Sequence, residues 1–318
     1  MSFLAATLRL LPPEPAHRAS LSLLKLGGRF LPAAPGDDPR LAVTLFGRLF
    51  PNPVGLAAGY DKDGEVPEAM LKFGFGFVEC GTLTPRPQAG NPRPRLFRLS
   101  EDGAVINRMG FNNGGNRMAD YRECFVRLAP LADFITINIS SPNTPGLRGL
   151  QNRDELERLL GLITDTRAQM SAAVPLLLKI APDLDSHALD DIAAVTLASG
   201  IEGLIVSNTT LARPASLKSP QAVEAGGLSG VPLFAPSTAI LKAMRQRVGD
   251  ALPLIGAGGV SSGEEAYAKL RAGASLVQLY TALVYQGPGL VRRIKRELLA
   301  CLNRDGIARV ADIVGVDA

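Results

Sequence analysis

The residues best placed to do chemistry fall where apolar runs end. Phe134 to Gly149 (FITINISSPNTPGLRG) begins with alternating β-branched residues that suit a buried strand, then becomes a polar, proline-punctuated loop. Asn138, Ser140, Ser141 and Asn143 are crowded around that junction. A strand that opens into hydroxyls and amides is how a barrel enzyme displays its reactive groups. On its own, the segment also reads as a plain strand and turn.

Two lysines stand apart from the surface charges. Lys62 follows the run Val54 to Ala58 in Ala58-Gly59-Tyr60-Asp61-Lys62, where it could clamp an anion or a carbonyl, or simply be solvated. Lys179 lies within the apolar LLLKIAP and must be paired or functional, because an unpaired buried ammonium is costly. Amides recur in equivalent places: Asn107 before Arg108-Met109-Gly110-Phe111, Asn138 and Asn143 around the serines, and Asn208 before Thr209. Several converging amides could read a planar, imide-like ring. Gly256, Gly258 and Gly259 end another apolar run and precede a helix, a pattern that lets backbone N–H groups approach an anion or that serves a turn sterically.

The elements that must position these groups alternate. Apolar runs Val54–Ala58, Phe75–Cys80, Phe134–Ile139, Leu176–Ile180, Gly203–Val206, Leu254–Ala257 and Leu276–Tyr280 are separated by helical stretches. Strand–helix alternation predicts a parallel sheet, either doubly wound or a (β/α)8 TIM-type barrel. Polar clusters after nearly every run favour the barrel. Only seven of the eight expected strands are found, and Arg95–Leu99 with Ala104–Ile106 is predicted to form a β-hairpin above the barrel. Residues 1–40 differ from the remainder. Two amphipathic helices meeting at Pro12-Pro13 are predicted, either as a cap on the main domain or as a hairpin lying on a membrane surface. The barrel domain is assigned to residues 41–318.

Composition narrows the chemistry. A net charge of +4, with scattered Lys and Arg and no Trp, argues against nucleic acid. Three cysteines without CxxC spacing and two separated histidines, His17 and His187, predict neither a disulfide framework nor a metal site. No apolar run is long enough to span a bilayer. Without a Ser–His–Asp set or a carboxylate pair, an organic cofactor is expected to supply the difficult step.

The motifs GLAAGYDKDGE, ECGTLTPRPQAGNPRPRLFRL, AVINRMGFNN, INISSPNTPGLRGLQ, LLLKIAPD, SNTT, GGLSG, IGAGGV and VQLYTAL together make the chain resemble the dihydroorotate dehydrogenases. The resemblance implies an FMN-dependent oxidation of dihydroorotate to orotate in pyrimidine synthesis. Serine at position 141, where the soluble branch carries cysteine, and the N-terminal hairpin resemble the branch that passes electrons to a membrane quinone. That implies a peripheral protein on the cytoplasmic side of a bacterial inner membrane, with no obligate protein partner.

The resemblance also assigns roles. Ser141 is the catalytic base, removing the substrate C5 proton while hydride moves from C6 to the flavin. Lys62, Asn107, Arg108, Met109, Gly110, Phe111, Asn138, Asn143, Asn208 and Thr209 belong to substrate binding. Ala58, Gly59, Tyr60, Asp61, Lys62, Thr82, Asn138, Lys179, Ser207, Gly230, Gly258, Gly259, Tyr280 and Thr281 belong to FMN. His17, Arg98 and Tyr280 border a quinone tunnel, and the loop from Thr209 to Gly226 is a lid. One departure stands out: the family's third barrel strand, which ends in an asparagine that contacts FMN, has no counterpart here. Two alternatives follow, a shell that binds flavin or orotate without turnover, and the same dehydrogenation with a soluble acceptor.

Overall fold

All seven predicted apolar runs contribute to one curled parallel sheet. The computed structural model describes residues 3–85, 88–110, 117–144, 146–170 and 173–318. In chain order the strands are β1 (Val43–Leu45), β2 (Arg48–Phe50), β3 (Val54–Leu56), β4 (Phe77–Val78), β5 (Leu96–Leu99), β6 (Ala104–Asn107), β7 (Ile135–Asn138), β8 (Leu176–Ile180), β9 (Gly203–Val206), β10 (Gly227–Gly230), β11 (Leu254–Ala257) and β12 (Ala274–Leu279). The parallel sheet runs β4-β3-β12-β11-β9-β8-β7. Its strands are short and apolar on both faces, as expected for a sheet packed inside and out; β8, β9 and β11 are buried at every position. Glycine allows one close approach: a Cβ on Gly55 would sit 2.2 Å from the Phe77 ring.

The helices are α1 (Phe3–Leu8), α2 (Pro13–Gly27), α3 (Pro67–Leu71), α4 (Arg117–Leu128), α5 (Arg153–Gln169), α6 (Ser186–Ser199), α7 (Phe234–Val248), α8 (Gly263–Arg271), α9 (Thr281–Gln286) and α10 (Leu290–Arg304). The break at Pro12-Pro13 is where it was expected, with Pro13 in the first turn of α2, a position that needs no N–H. Leu21 and Leu24 pack against the core, whereas Leu10, Leu26 and Phe30 are 85%, 75% and 73% exposed. No helix among the described residues is long and apolar enough to cross a membrane.

Among the described residues the sheet is a barrel with one stave missing. Among the described residues β4 and β7 are its two unpaired edges. No backbone ladder joins β4 to β7 among the described residues. Side chains bridge the seam instead. The Phe77 and Phe134 rings meet edge to face, 6.1 Å apart. At the strand ends Asn138 Nδ2 donates to Thr82 Oγ1 at 3.1 Å. From α4, the Tyr121 hydroxyl donates to the Asn138 carbonyl at 2.6 Å, and Phe125 is buried. Thr136 Oγ1 on β7 is buried without a hydrogen bond among the described residues.

The predicted hairpin forms as β5 and β6, and the sequence reading missed its third strand. β10 pairs antiparallel with β6, Leu228 opposite Ile106, giving the order β10-β6-β5. Its sequence GLSG has two glycines and a single large apolar residue, too little to mark a strand. Phe97, Leu99, Ala104, Ile106 and Leu228 form a second small core beneath this platform.

Candidate active site

A cavity of about 1680 Å³ lies over the C-terminal ends of the barrel strands, bordered by the β5–β6–β10 platform and by α2. Pockets for one drug-sized ligand run to about 1,000 Å³, so there is room here for two molecules. Of the sequence-predicted residues, Ala58, Gly59, Tyr60, Lys62, Thr82, Asn107, Met109, Gly110, Asn138, Ser141, Asn143, Lys179, Ser207, Asn208, Thr209, Gly230, Gly258, Gly259, Tyr280 and Thr281 line it, together with His17 and Arg98. Phe111 lies outside the described residues.

Two of the predicted residues do not line the cavity. Arg108 is not among the lining residues: its guanidinium pairs with Glu224 at 2.6 Å and lies 4.6 Å from the centre of the Phe97 ring. Asp61 is fully buried, accepting the N–H groups of Glu65 at 2.9 Å and Val66 at 2.8 Å. It folds the loop that carries Lys62 and offers no surface to a ligand.

Lys179, in register with Asn138 across the β7–β8 ladder, resolves its sequence dilemma by being both paired and exposed to the cavity. Its Nζ lies 3.6 Å from Glu79 Oε2, which also accepts from Gln278 Nε2 at 2.8 Å. Gln278 Oε1 is buried without a hydrogen-bond partner among the described residues, and Gln278 lines the cavity. A ligand N–H aimed at this oxygen would satisfy it. Glu79 was overlooked, although a carboxylate inside the apolar FVEC was a legible signal.

The serine and the amides form a connected patch. Ser141 is 8% exposed, and its Oγ accepts the Asn143 N–H at 3.3 Å. Asn143 Nδ2 donates to Asn107 Oδ1 at 3.1 Å. Asn208 Nδ2 donates to Ser140 Oγ at 3.0 Å and to Asn138 Oδ1 at 3.3 Å. Asn138 is thus used heavily within the protein, holding the serine loop on one side and Thr82 on the other. Arg148, which the sequence reading missed, ties two loops together, pairing with Asp183 at 2.8 Å and donating to the Thr209 carbonyl at 3.1 Å.

Positive charge gathers at the α2 side. Burial, then the nearby Arg95 guanidinium, lowers the pKa of the Lys62 ammonium. Glu14 on α2 receives Arg95 at 2.8 Å and Arg93 at 3.1 Å, and Arg95 hydrogen bonding holds its carboxyl below the usual range. Arg95 Nη1 also donates to the carbonyls of Ala89 at 2.7 Å and Asn91 at 2.9 Å. Asn91 Nδ2 reaches the Asn143 carbonyl at 3.2 Å. A chain of contacts therefore runs from α2 to the serine loop. Nothing in the sequence reading singled out Glu14, Arg95 and Asn91 as a unit.

His17, Tyr60 and Tyr280 form an aromatic wall of the cavity. The His17 and Tyr60 rings are 5.4 Å apart and those of Tyr60 and Tyr280 5.7 Å, all edge to face, with His17 Nδ1 at 3.4 Å from the Tyr280 hydroxyl. Burial, followed by the charge of Lys62, lowers the His17 pKa to about 4. Arg98 also donates to the carbonyls of Arg9 at 2.9 Å and Leu11 at 2.8 Å, fastening the α1–α2 connection.

Comparison with known proteins agrees with this geometry. The family model described as "Dihydroorotate dehydrogenase" matches residues 40–119 and 114–302. A protein of Xanthobacter autotrophicus named "Dihydroorotate dehydrogenase (quinone)" is 52% identical over 346 positions, covering 97% of this chain and 96% of its own. A Rhodospirillum rubrum protein of the same name is 52% identical over 340 positions, covering 96% and 92%. Both alignments are longer than this 318-residue chain, so the relatives carry residues opposite gaps in it. The family match restarts at residue 114, at the missing stave. A crystal structure of the Eimeria tenella DHODH in complex with ferulenol superposes with a TM-score of 0.92 at 40% identity, covering 96% of each chain. The chain belongs to the dihydroorotate dehydrogenase family.

Proposed function

We propose that this protein oxidises dihydroorotate to orotate in de novo pyrimidine synthesis, using FMN and delivering the electrons to a membrane quinone. The observation that carries the reading is the convergence, in one cavity, of Ser141, the amides of Asn107, Asn143 and Asn208, and Lys179 with the unpartnered Gln278 Oε1. The names of the relatives support it.

The residues present fit FMN. Gln278 Oε1 lacks a donor, and a flavin pyrimidine ring carries an N–H. Lys179 offers a cation for the negative charge that builds on that ring. Gly230, Gly258, Gly259 and Thr281 line the same cavity and leave room for a phosphate, and Thr281 Oγ1 is steadied by a 2.8 Å hydrogen bond to Ser229. When bound, FMN supplies the acceptor for the hydride leaving the substrate.

The chain's own residues do the remaining work. Lys62 and the backbone of Met109 and Gly110 hold the substrate carboxylate, and the amides of Asn107, Asn143 and Asn208, with Thr209, read its ring. Ser141 takes the C5 proton as its own hydroxyl proton leaves through an exit from the site. Serine is a weak base at its ordinary pKa, so its near-complete burial and the Asn143 N–H on its oxygen matter for its strength in the closed site. The loop from Thr209 to Gly226 acts as the lid. Arg213 pre-shapes it by donating to the carbonyls of Glu224 at 2.8 Å and Gly226 at 2.7 Å.

Residues 1–40 act as the membrane and quinone-access segment, and residues 41–318 as the catalytic domain. The exposed Leu10, Leu26 and Phe30, beside Arg9, Arg18 and Arg29, suit a helical pair lying in the headgroup region on the cytoplasmic face of a bacterial inner membrane. His17, Arg98 and Tyr280 border the path between that surface and the flavin.

The missing strand favours one competing reading, a shell that binds ligand without turnover, since no residue inherits that strand's flavin contact. One experiment separates the two. The purified chain is examined for a flavin spectrum, then given dihydroorotate with and without a soluble quinone analogue. Bound FMN, bleaching by substrate and quinone-dependent turnover are expected. Absence of FMN sinks the catalytic reading, and bleaching without quinone-dependent turnover overturns the acceptor.

A further inference from the structure

Lys269 on α8 is completely buried, and no carboxylate pairs with it among the described residues. Its Nζ donates to Ser237 Oγ and Thr238 Oγ1, both at 2.9 Å, and sits 5.2 Å from the centre of the Phe234 ring. Burying an ammonium with only hydroxyls and a ring as partners costs stability, and nothing in the substrate chemistry employs it. Its surroundings show a use. Ser237 Oγ, which accepts from Lys269, is 3.1 Å from both the Phe234 and the Gly258 carbonyls, and its one proton can go to Gly258. Gly258 and Gly259 follow each other with φ of 105° and 78°, and both line the cavity. The Gly258–Gly259 peptide is trans, so a Gly258 carbonyl held toward Ser237 turns the Gly259 N–H the opposite way. The packing is tight enough to hold this arrangement. A Cβ on Gly258 would lie 2.8 Å from Ser237 Oγ, and one on Gly256 would lie 3.2 Å from Lys269 Cδ.

We propose that Lys269 is a positioning residue for an anion site: through Ser237 it orients the Gly258–Gly259 peptide so that this loop receives the phosphate of the flavin. The inference rests on the FMN reading above. Burial pulls the Lys269 pKa down to about 7, with Glu265 opposing, so a nearby phosphate would hold its proton in place.

The test compares two flavins that differ only by the phosphate. The full-length chain, freed of flavin, is titrated with FMN and with riboflavin by fluorescence quenching, for the wild type, Lys269→Met and Ser237→Ala. The wild type should prefer FMN. Lys269→Met should weaken FMN binding about tenfold, equivalent to about 1.4 kcal/mol, and leave riboflavin binding within about twofold. Ser237→Ala, which keeps the ammonium and removes the link, should show the same selective loss, and it decides the matter should Lys269→Met not fold. Equal weakening of both flavins, or unchanged FMN affinity in the folded variants, overturns the proposal while leaving the enzyme reading intact. A wild type that binds neither flavin overturns both.

Discussion

Glu14→Gln tests whether the N-terminal helices are part of the enzyme's working structure. Glu14 sits in the first turn of α2, and its side chain is 11% exposed against 8% for Arg95. It receives Arg95 through Nη2 at 2.8 Å and Nε at 3.2 Å, and Arg93 through Nε at 3.2 Å. Hydrogen bonds to charged groups contribute about 1.5 to 3 kcal/mol each, and breaking a buried pair leaves the remaining charge without compensation. The cluster has an exposed rim at Arg93 and Arg18, so the expected loss is about 2 to 3 kcal/mol and not the full buried-pair value of about 3 to 5. Because Arg95 also orders the Ala89 and Asn91 carbonyls, and Asn91 reaches the Asn143 carbonyl, KM for dihydroorotate should rise along with it. Urea unfolding and limited proteolysis of the N-terminal segment measure the first effect, and steady-state kinetics the second. The pH dependence follows from the direction of the shift. The Glu14 carboxyl is held below its usual 4.5, so its stabilisation is present above that pH and lost as pH falls through the folded value. The gap between wild type and variant should therefore close in acid. A variant within about 0.5 kcal/mol of wild type at pH 7, or a gap unchanged down to the acid limit of the wild type, would refute the reasoning.

Three further outcomes are expected. Ser141→Ala should keep FMN and bind orotate while losing most turnover near neutral pH; turnover near wild type would show that Ser141 is not the base. Lys179→Ala leaves Glu79 buried without its cation, so it should weaken FMN retention or slow flavin reduction by substrate, measured by absorbance and stopped flow. Unchanged values for both would remove Lys179 from the cofactor site. Burial lowers the folded His17 pKa from 6.5 to about 4, so between those values the unfolded chain binds the extra proton. His17 therefore makes stability rise with pH across that window, and His17→Leu should remove that part of the slope in urea unfolding. A slope unchanged by the substitution would place His17 in a more solvated setting.

Much of this protein was written locally. Alternating β-branched residues in Ile135 to Ile139, the apolar LLLKI and the turn at Pro12-Pro13 each specify their element through short-range sterics and burial, and each is found in place. Most of the candidate site was legible for the same reason, because polar residues at the ends of apolar strands in a barrel face one mouth. Contacts between residues far apart in the chain were not legible. Glu14 meets Arg95, Glu79 meets Lys179 and Gln278, and Lys269 meets Ser237, each pair brought together only by the curl of the sheet and the docking of α2. Arg108 and Asp61 looked like ligand residues by position, but closer partners claimed them: Glu224 and Phe97 for one, backbone N–H groups for the other. The missing stave shows the same division. The sequence by itself offers seven apolar runs of strand character and none between Phe111 and Phe134. Only the tertiary structure decided how its neighbours meet. Phe77, Phe134, Thr82, Asn138 and Tyr121 cover the seam with side chains, since no backbone ladder joins β4 to β7 among the described residues.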